Sequence, residues 1–399
     1  MRYGYLSVCL SLGLTVQGQA VWQQFSSAPA AGRFWAAATG NSTHGYAGTG
    51  RLQFSGTGNE VADMYEYEAA TDTWTAIPDY PGGVRAGVDG FTIGERIFFA
   101  FGSPFIQFTS TVYEYIPATQ SWTQHPDVPG GVGFAYSHGF VIGDTYYIGP
   151  ENGTNNVYAF NGTTNTWSSV ASFPGADRRA QCAFSANGKG YLGMGAGVFS
   201  GVFGDWWEYD PVADSWTEVA SVFPNADQAC ATAVNNVGYL YNTGGSGGGG
   251  KQLFNYDATA DQWNSDAILP TDRIANASAM TIGNHGYIVF GESTLSGGNQ
   301  PSNQLWRFTP GSTGITGLDA FSDIIVTANF TGSILVQVPD AREGSLQIDV
   351  IDSHGRTLAT GSIRGAGVIE VGSDLAAGAY LVTFRGERIS GTRKVVMVR

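Results

Sequence analysis

The sequence predicts an all-β protein in which a domain of six repeated units precedes a smaller β-sandwich. Three observations carry this prediction. The chain has 57 glycines in 399 residues, 13% aromatic residues and only 13% charged residues, which is typical of short strands joined by tight turns. A sequence motif that ends in tryptophan recurs at a nearly fixed spacing, and the residue pattern changes after Gly311.

The recurring sequence motif predicts two strands joined by a polar turn. Alternating aromatic residues such as Tyr65 and Tyr67 mark a two-faced strand, and a second strand follows at the tryptophan. A Pro-rich turn, a strand of small residues and a strand ending in glycine complete each unit. Four strands in about 47 residues match one blade of a β-propeller. The closing tryptophans, 48, 45, 49 and 47 residues apart, are Trp74, Trp122, Trp167, Trp216 and Trp263.

A sixth unit begins at residues 305–312 and has no closing tryptophan. The missing residue is Trp22, at the start of the mature chain. We therefore predict a six-bladed propeller over residues 21–310, in which the N-terminal strand completes the last blade. Such closure hides a strand edge that would otherwise promote aggregation.

The repeats resemble kelch motifs, and the resemblance covers about residues 21–310. In that family a small-residue inner strand, a second strand ending in glycines, an aromatic third strand and a Trp-bearing outer strand follow one another. The Gly-Gly doublet is clear only at Gly244-Gly245, while one glycine remains at Gly102, Gly149 and Gly291. The resemblance implies a six-bladed kelch-type β-propeller.

The N-terminus resembles an export signal. Arg2 supplies a positive end, residues 3–16 are mostly apolar, and Gly18 and Ala20 have the spacing of a cleavage site. We expect residues 1–20 to be a signal peptide; the alternative is a buried N-terminal strand or helix.

The tail differs from the repeats in its charge and its pattern. Residues 311–318 read as a linker, and residues 319–399 carry nine acidic and eight basic residues with alternating apolar positions. They predict a small C-terminal β-sandwich.

The tail resembles the C-terminal sorting domain of the type IX secretion system of Bacteroidota. The usual Pro-Asn-Pro is reduced here to Asn329, and a generic immunoglobulin-like or carbohydrate-binding sandwich is the alternative. The resemblance implies passage through the periplasm and, with the type IX secretion machinery as partner, release or attachment at the outer-membrane surface. The residues that carry it are Asp352, Gly355, Arg356, Leu375, Gly378, Tyr380 and Lys394.

The net charge of −14 argues against a nucleic-acid partner, because neutralising phosphates needs a basic surface. No apolar run of about 18 residues follows the N-terminus, so no transmembrane helix is expected. Residues 244–250 are glycine-rich but lack the pattern of a phosphate loop. We expect no cofactor and a monomeric chain.

Equivalent positions of the six inner strands form a predicted ring around the propeller axis. A ring with Asp, His and two Cys raises the alternative of a metal site. We expect none, because inner strands are crowded and equivalent positions in non-neighbouring blades lie far apart. The positions are Ala37, Asp89, His138, Cys182, Cys230 and Ser278.

One face of the propeller is the candidate ligand-binding surface, because loops carrying arginine and aromatic residues converge there. Arginine recognises carboxylates in a bidentate manner, and aromatic rings offer flat platforms to sugars or peptides. The alternative for each arginine is that it braces neighbouring loops. The candidate residues are Arg33, Arg85, Arg178, Arg179, Arg273, Phe203 and Trp206.

Two classes of function follow. The favoured one is a secreted or surface-displayed binding or adhesion module for a glycan, protein or peptide ligand. The other is an enzyme, because six-bladed kelch proteins similar to this one include sialic acid mutarotases, which need a basic pocket and an acid/base carboxylate. Glu151, Asp205 or Glu292 could supply that carboxylate, and no motif selects among them. The Cys–Tyr crosslink and the His ligands of kelch-type copper oxidases have no recognisable counterpart in this sequence.

Overall fold

The computed structural model divides the chain into two compact units, Gln19–Pro310 and a unit that includes Gly311–Arg399. The predicted signal peptide before Gln19 and the predicted linker after Gly311 lie outside the described residues. No helix in the described part of the chain is long and apolar enough to cross a membrane. The described residues are 19–54, 58–105, 107–151, 153–197, 201–222, 225–227, 229–243, 250–295, 298–311, 325–328, 333–338, 345–352, 356–364, 367–372, 375, 378–385 and 390–397.

The first unit consists of short strands and two 3-10 turns, Pro117–Thr119 and Pro129–Gly131. Its strands are β1 (Val21–Phe25), β2 (Ala37–Gly40), β3 (His44–Gly48), β4 (Met64–Glu68), β5 (Thr73–Ile77), β6 (Ala86–Ile93), β7 (Arg96–Ser103), β8 (Val112–Ile116), β9 (Ser121–His125), β10 (Phe140–Ile142), β11 (Thr145–Ile148), β12 (Val157–Asn161), β13 (Thr166–Val170), β14 (Cys182–Ala186), β15 (Lys189–Gly193), β16 (Ala196–Gly197), β17 (Gly201–Val202), β18 (Trp206–Asp210), β19 (Ser215–Val219), β20 (Cys230–Val234), β21 (Val237–Asn242), β22 (Gln252–Asp257), β23 (Gln262–Ile268), β24 (Ile274–Ala275), β25 (Ser278–Ile282), β26 (His285–Val289), β27 (Glu292–Leu295), β28 (Gly298–Pro301) and β29 (Leu305–Thr309).

The described residues of this unit contain six four-stranded antiparallel sheets, each ordered from an inner to an outer strand. The inner strands contact one another in a closed ring, so that the sheets surround a common axis. We number the sheets along the chain: sheet 1 is β2-β3-β4-β5, sheet 2 is β6-β7-β8-β9, sheet 3 is β10-β11-β12-β13, sheet 4 is β14-β15-β18-β19, sheet 5 is β20-β21-β22-β23 and sheet 6 is β25-β26-β29-β1.

The N-terminal strand β1 is the outer strand of sheet 6, where the sequence analysis placed it. Trp22 lies opposite Phe308 in the pairing of β1 with β29. Its indole packs edge-on against Phe308, with ring centroids 5.2 Å apart, and against Tyr241 of sheet 5 at 6.0 Å. The start of this unit therefore joins its end.

The repeated tryptophans connect each outer strand to the preceding sheet. Each indole N–H donates a hydrogen bond of 2.8 to 3.1 Å to a backbone carbonyl just beyond the outer strand of that sheet. The pairs are Trp74 with Ser26, Trp122 with Pro78, Trp167 with Pro126, Trp216 with Ala171 and Trp263 with Ala220.

A left-handed glycine at the end of the second strand, or just after it, also links neighbouring sheets, at the loops that lead into the inner strands. These glycines have φ between 87° and 99°, and each donates its N–H, at 2.7 to 2.9 Å, to a carbonyl in the loop that leads into the next inner strand. A Cβ there would approach neighbouring atoms within 2.6 to 3.0 Å, so only glycine fits. The pairs are Gly50 with Arg85, Gly102 with Phe134, Gly195 with Ala226 and Gly291 with Arg33.

This geometry explains why the expected Gly-Gly doublet is degenerate. The residue before each glycine is also left-handed, with φ between 52° and 70°, yet it tolerates a side chain. Only the second position of the doublet therefore requires glycine. The first positions are Thr49, Phe101, Met194 and Phe290. The doublet at Gly244-Gly245 lies outside the described residues.

The second unit contains a three-stranded sheet, β30-β31-β34, and a four-stranded sheet, β33-β32-β35-β36. Residues of both sheets share one apolar core that includes Val336, Ile348 and Val382. This two-sheet arrangement agrees with the predicted sandwich. The strands are β30 (Ile325–Ala328), β31 (Ile334–Val338), β32 (Ser345–Ile351), β33 (Thr357–Arg364), β34 (Gly367–Val371), β35 (Gly378–Arg385) and β36 (Ser390–Met397).

Part of the sorting-domain resemblance maps to the turn between β32 and β33. The Arg356 guanidinium donates to the Asp352 carboxylate at 2.7 and 2.8 Å, and the backbone N–H of Arg356 donates to the same carboxylate at 3.0 Å. The pair therefore links the end of β32 to the start of β33. Gly355 and Asn329 lie outside the described residues.

Candidate functional site

The face formed by the loops into the inner strands contains a cleft of about 450 Å³. Its walls come from several sheets and combine four aromatic side chains with a few polar ones. The aromatic residues are Trp35, Phe105, Phe108 and Tyr136, and the charged residues are Arg51, Arg179 and Asp227. Volume and lining both suit a small amphipathic molecule such as a sugar.

The aromatic wall rests on a ring of left-handed residues, each two positions before the inner-strand ring. The N–H of Trp35 donates to the Asn276 carbonyl at 3.3 Å, that of Gly87 to Trp35 at 2.8 Å, and that of Tyr136 to Gly87 at 3.0 Å. These backbone bonds cross from sheet to sheet around the axis. The ring consists of Trp35, Gly87, Tyr136, Ala180 and Asn276, with φ between 49° and 67°.

Side-chain contacts then fix the two largest rings of the wall. The Trp35 indole N–H donates to Asn276 Oδ1 at 3.0 Å, and Asn276 Nδ2 donates to Glu292 at 3.0 Å. The rings of Trp35 and Tyr136 meet edge to face with centroids 4.9 Å apart. Phe105 is 45% exposed, which leaves an apolar surface for a ligand.

Two arginines contribute to the lining of the cleft. Arg51 lies 3.5 Å from Glu60 and donates through Nε to the Gln53 carbonyl at 2.8 Å. Arg179 is exposed, and its backbone pairs with that of Ala196. Burial raises the pKa of Tyr136, while the charges of Arg51 and Arg179 oppose that rise. Both arginines line the same cleft as Tyr136.

Asp227 is the acidic residue of the cleft lining. Its Oδ1 is buried and has no hydrogen-bond partner within the described residues. A buried carboxylate oxygen without a partner is costly unless a ligand or water completes it. Sequence reasoning did not select Asp227.

A narrow neck leads from the cleft along the axis. It measures about 40 Å³, shares Trp35, Tyr136 and Asp227 with the cleft, and adds His138. Below it a channel of about 240 Å³ is lined by His138 and by hydroxyl side chains. The hydroxyl residues are Thr39, Thr92, Ser185, Thr232 and Thr281.

The inner ring brings together two of the predicted metal-ligand types. His138 Nδ1 lies 2.9 Å from Asp89 Oδ1, across neighbouring sheets. Cys182 and Cys230 are free, buried thiols, and burial raises the pKa of Cys230 to about 12. No group of three or more His, Cys, Asp and Glu residues in the described part of the chain could hold a metal ion.

Three predicted ligand arginines are buried and occupied within their own sheets. Arg33 makes two hydrogen bonds to Asp63, at 2.6 and 2.9 Å, and Arg178 makes two to Asp205, at 2.8 Å each. Arg85 donates to the Phe101 carbonyl and to two threonine hydroxyls. For these residues the structure supports the alternative that they brace loops.

The two carboxylates of these pairs show the effect of their partners. Burial alone would raise the pKa of Asp63 and of Asp205, but the hydrogen bonds and the charge of the facing arginine outweigh it and lower both pKa values. Asp205 is paired with Arg178 and does not line the cleft. Glu151 and Glu292 are buried, with Ser137 and Asn276 as hydrogen-bond partners.

The remaining predicted residues occupy different positions: in the core, against a bracing arginine, or at the surface. The Phe203 ring covers the Arg178 guanidinium, 4.4 Å from its centroid, and so completes that brace. The prediction that Trp206 offers a ligand platform is wrong, because its side chain has no exposed surface and packs against Trp263. Arg273 is partly exposed but does not line the cleft, whereas Arg179 does line it.

Comparisons with known proteins agree with the fold and add one sequence relative. No family model matches the chain. A segment of 119 residues is 31% identical to N-acetylneuraminate epimerase of Pasteurella multocida (strain Pm70), and this match spans 27% of the chain and 30% of the relative. The solved structure described as "Structure of YjhT" superimposes with a TM-score of 0.56 at 16% identity, covering 72% of this chain and 99% of that one.

The structural likeness shows the fold. It confirms the prediction of an all-β, kelch-type propeller fold. The sorting-domain resemblance of the tail stays a prediction.

Substituting the adjacent residues Arg178 and Arg179 tests whether the first braces a loop and the second lines the cleft. Arg178→Met leaves Asp205 without its partner, so we expect the free energy of unfolding to fall by about 3 kcal/mol, near the lower end for a broken buried pair because Asp205 is 25% exposed. Arg179→Met removes the same charge from an exposed position and should change it by less than about 0.5 kcal/mol.

Denaturant unfolding followed by tryptophan fluorescence measures both, because all ten tryptophans lie in the propeller. Equal losses in the two variants would contradict the assignment of Arg178 as a brace and Arg179 as a cleft residue.

Proposed function

We propose that the propeller is a carbohydrate-active isomerase of the sialic acid mutarotase or epimerase type, with its site in the cleft at the axis. The observation that carries this proposal is the placement of Arg51, Arg179 and Asp227 in one aromatic-walled cleft. The segment related to N-acetylneuraminate epimerase supports an acidic sugar as the substrate class.

The arginines would bind the carboxylate of the sugar. The chain as a whole carries a net charge of −14, so an anionic ligand needs a local positive site to overcome the surrounding field. Arg179 presents an exposed guanidinium for a bidentate contact, and Arg51, whose charge is offset by Glu60, lies in the same lining. The apolar face of the sugar would lie against Trp35 and Phe105.

Asp227 would act on the anomeric centre. Mutarotation requires removal of the proton from the anomeric hydroxyl while the ring oxygen gains one, and a positioned carboxylate accepts such a proton. Asp227 lines both the cleft and the neck, which places its carboxylate group at the junction of the two. This assignment replaces the three carboxylates expected from the sequence.

The test is the rate at which the anomers of N-acetylneuraminate equilibrate, followed by proton NMR with the full chain. Arg179→Ala should raise KM about tenfold or more, since a hydrogen bond to a charged group contributes about 1.5–3 kcal/mol. Asp227→Asn should lower kcat at least about 100-fold. Lys189→Ala removes a positive charge from an ion pair with Asp210, away from the cleft, and serves as the control.

A wild-type chain that leaves the equilibration rate at its uncatalysed value would contradict the isomerase proposal. Binding of the sugar by calorimetry without turnover would instead favour the binding module.

We also propose that the chain is exported and that the tail is its sorting address, with release or attachment at the outer-membrane surface. The signal-like N-terminus and the motif residues around Asp352 and Arg356 support this. A chain ending at Gly311 should then fold but remain in the periplasm of its host, as fractionation and immunoblotting would show. Normal surface delivery of that shortened chain would contradict the sorting role.

A further inference from the structure

The Asp89–His138 pair lies at the end of the neck and has no part in the scheme above. Asp89 extends from β6 in sheet 2, and His138 stands just before β10 in sheet 3. Asp89 is only 4% exposed, whereas the His138 side chain is 37% exposed. The carboxylate is thus inside the protein, and the imidazole faces the axial passage.

Hydrogen bonds to Asp89 define which imidazole nitrogen is free. Asp89 Oδ2 accepts from the Gly139 N–H at 3.0 Å and from the Tyr146 hydroxyl at 2.5 Å, while Oδ1 lies 2.9 Å from His138 Nδ1. An ionised carboxylate only accepts hydrogen bonds, so Nδ1 carries the hydrogen. Nε2 is then the nitrogen that exchanges a proton with whatever occupies the passage.

His138 and Asp227 line the same narrow neck. The neck holds about 40 Å³, roughly the space of one water molecule or one substituent of a sugar. A sugar seated in the cleft above would place its anomeric substituent at this opening. The carboxylate and the imidazole would meet it there from different sheets, because Asp227 precedes sheet 5 and His138 belongs to sheet 3.

We propose that His138 is a second catalytic residue of the isomerase, exchanging a proton with the ring oxygen through Nε2, and that Asp89 is its positioning residue. This inference rests on the proposed function. A buried carboxylate that holds Nδ1 fixes the orientation of the imidazole and leaves Nε2 on the side of the passage, as an acid/base histidine needs. Tyr136 is a poorer proton donor, because burial raises its pKa.

The proposed step conserves atoms and charge. Asp227 takes the proton of the anomeric hydroxyl, the new carbonyl forms, and the bond between the anomeric carbon and the ring oxygen breaks. The ring oxygen receives the proton of Nε2. After the carbonyl turns, the former ring hydroxyl attacks its other face and returns its proton to Nε2, while Asp227 returns its proton to the new anomeric oxygen.

Three substitutions in the full chain separate this role from a structural one. His138→Asn keeps a side-chain N–H near Asp89 but lacks Nε2, and His138→Ala opens space for added imidazole. Cys182→Ala, at the equivalent buried position of sheet 4, is the matched control. Each variant is first compared with wild type by near-ultraviolet circular dichroism and thermal midpoint.

We expect kcat for anomer equilibration of N-acetylneuraminate to fall at least about 100-fold in both His138 variants, while KM stays within a few-fold. Imidazole should restore at least part of the rate of His138→Ala and should not change that of His138→Asn. Cys182→Ala should match wild type.

Folded His138 variants that keep their kcat, or an unaltered rate of His138→Ala at all imidazole concentrations, would overturn the role of His138 alone. A wild-type chain without activity would instead overturn the proposed function, and this inference with it.

Discussion

The hydrogen bond from a left-handed glycine of one sheet to the loop of the next is the contact on which the cleft depends. Gly291 donates to the Arg33 carbonyl, two residues before Trp35, and Gly102 donates to the Phe134 carbonyl, two residues before Tyr136. The glycine thus fixes each loop just before the ring residue that lines the cleft. A Cβ at Gly291 would lie 2.7 Å from the Ala275 carbonyl oxygen, and one at Gly102 would lie 2.6 Å from the Val88 side chain, so a larger residue must displace its neighbours.

An arginine precedes four of the six inner strands, and two of these arginines, Arg33 and Arg178, serve the same purpose. Arg33 and Arg178 fill the space between second and third strands and satisfy buried carbonyls as well as an aspartate. Arg179, one position later, is exposed in the cleft, so two neighbouring arginines have opposite roles.

The sequence predicted the repeat architecture well, because periodic features depend on local strand geometry. The spacing of the tryptophans located the outer strands, and the displaced Trp22 located the strand that completes sheet 6. The candidate site was predicted less well, because arginine and tryptophan were judged by residue type alone. Trp206 begins a strand and points into the core, a direction that composition does not reveal.

The aromatic residues of the cleft lie at a fixed sequence offset from the inner-strand positions. Moving two positions toward the loop from Ala37, His138 and Ser278 leads to Trp35, Tyr136 and Asn276, the ring that carries the aromatic wall. Asp227 had no such signal, since its significance lies in an unpartnered buried oxygen that only three-dimensional packing creates.

The most direct measurement compares Gly291→Ala with Gly188→Ala. Both glycines have positive φ, 98° and 74°, but a Cβ at Gly188 meets nothing within 4 Å, whereas one at Gly291 would lie 2.7 Å from the Ala275 carbonyl beside Asn276. Gly188→Ala should cost about 1–2 kcal/mol of left-handed strain and leave the sugar affinity unchanged. Gly291→Ala should cost clearly more and weaken N-acetylneuraminate binding in calorimetry. Equal thermal midpoints and equal affinities in the two variants would contradict the account.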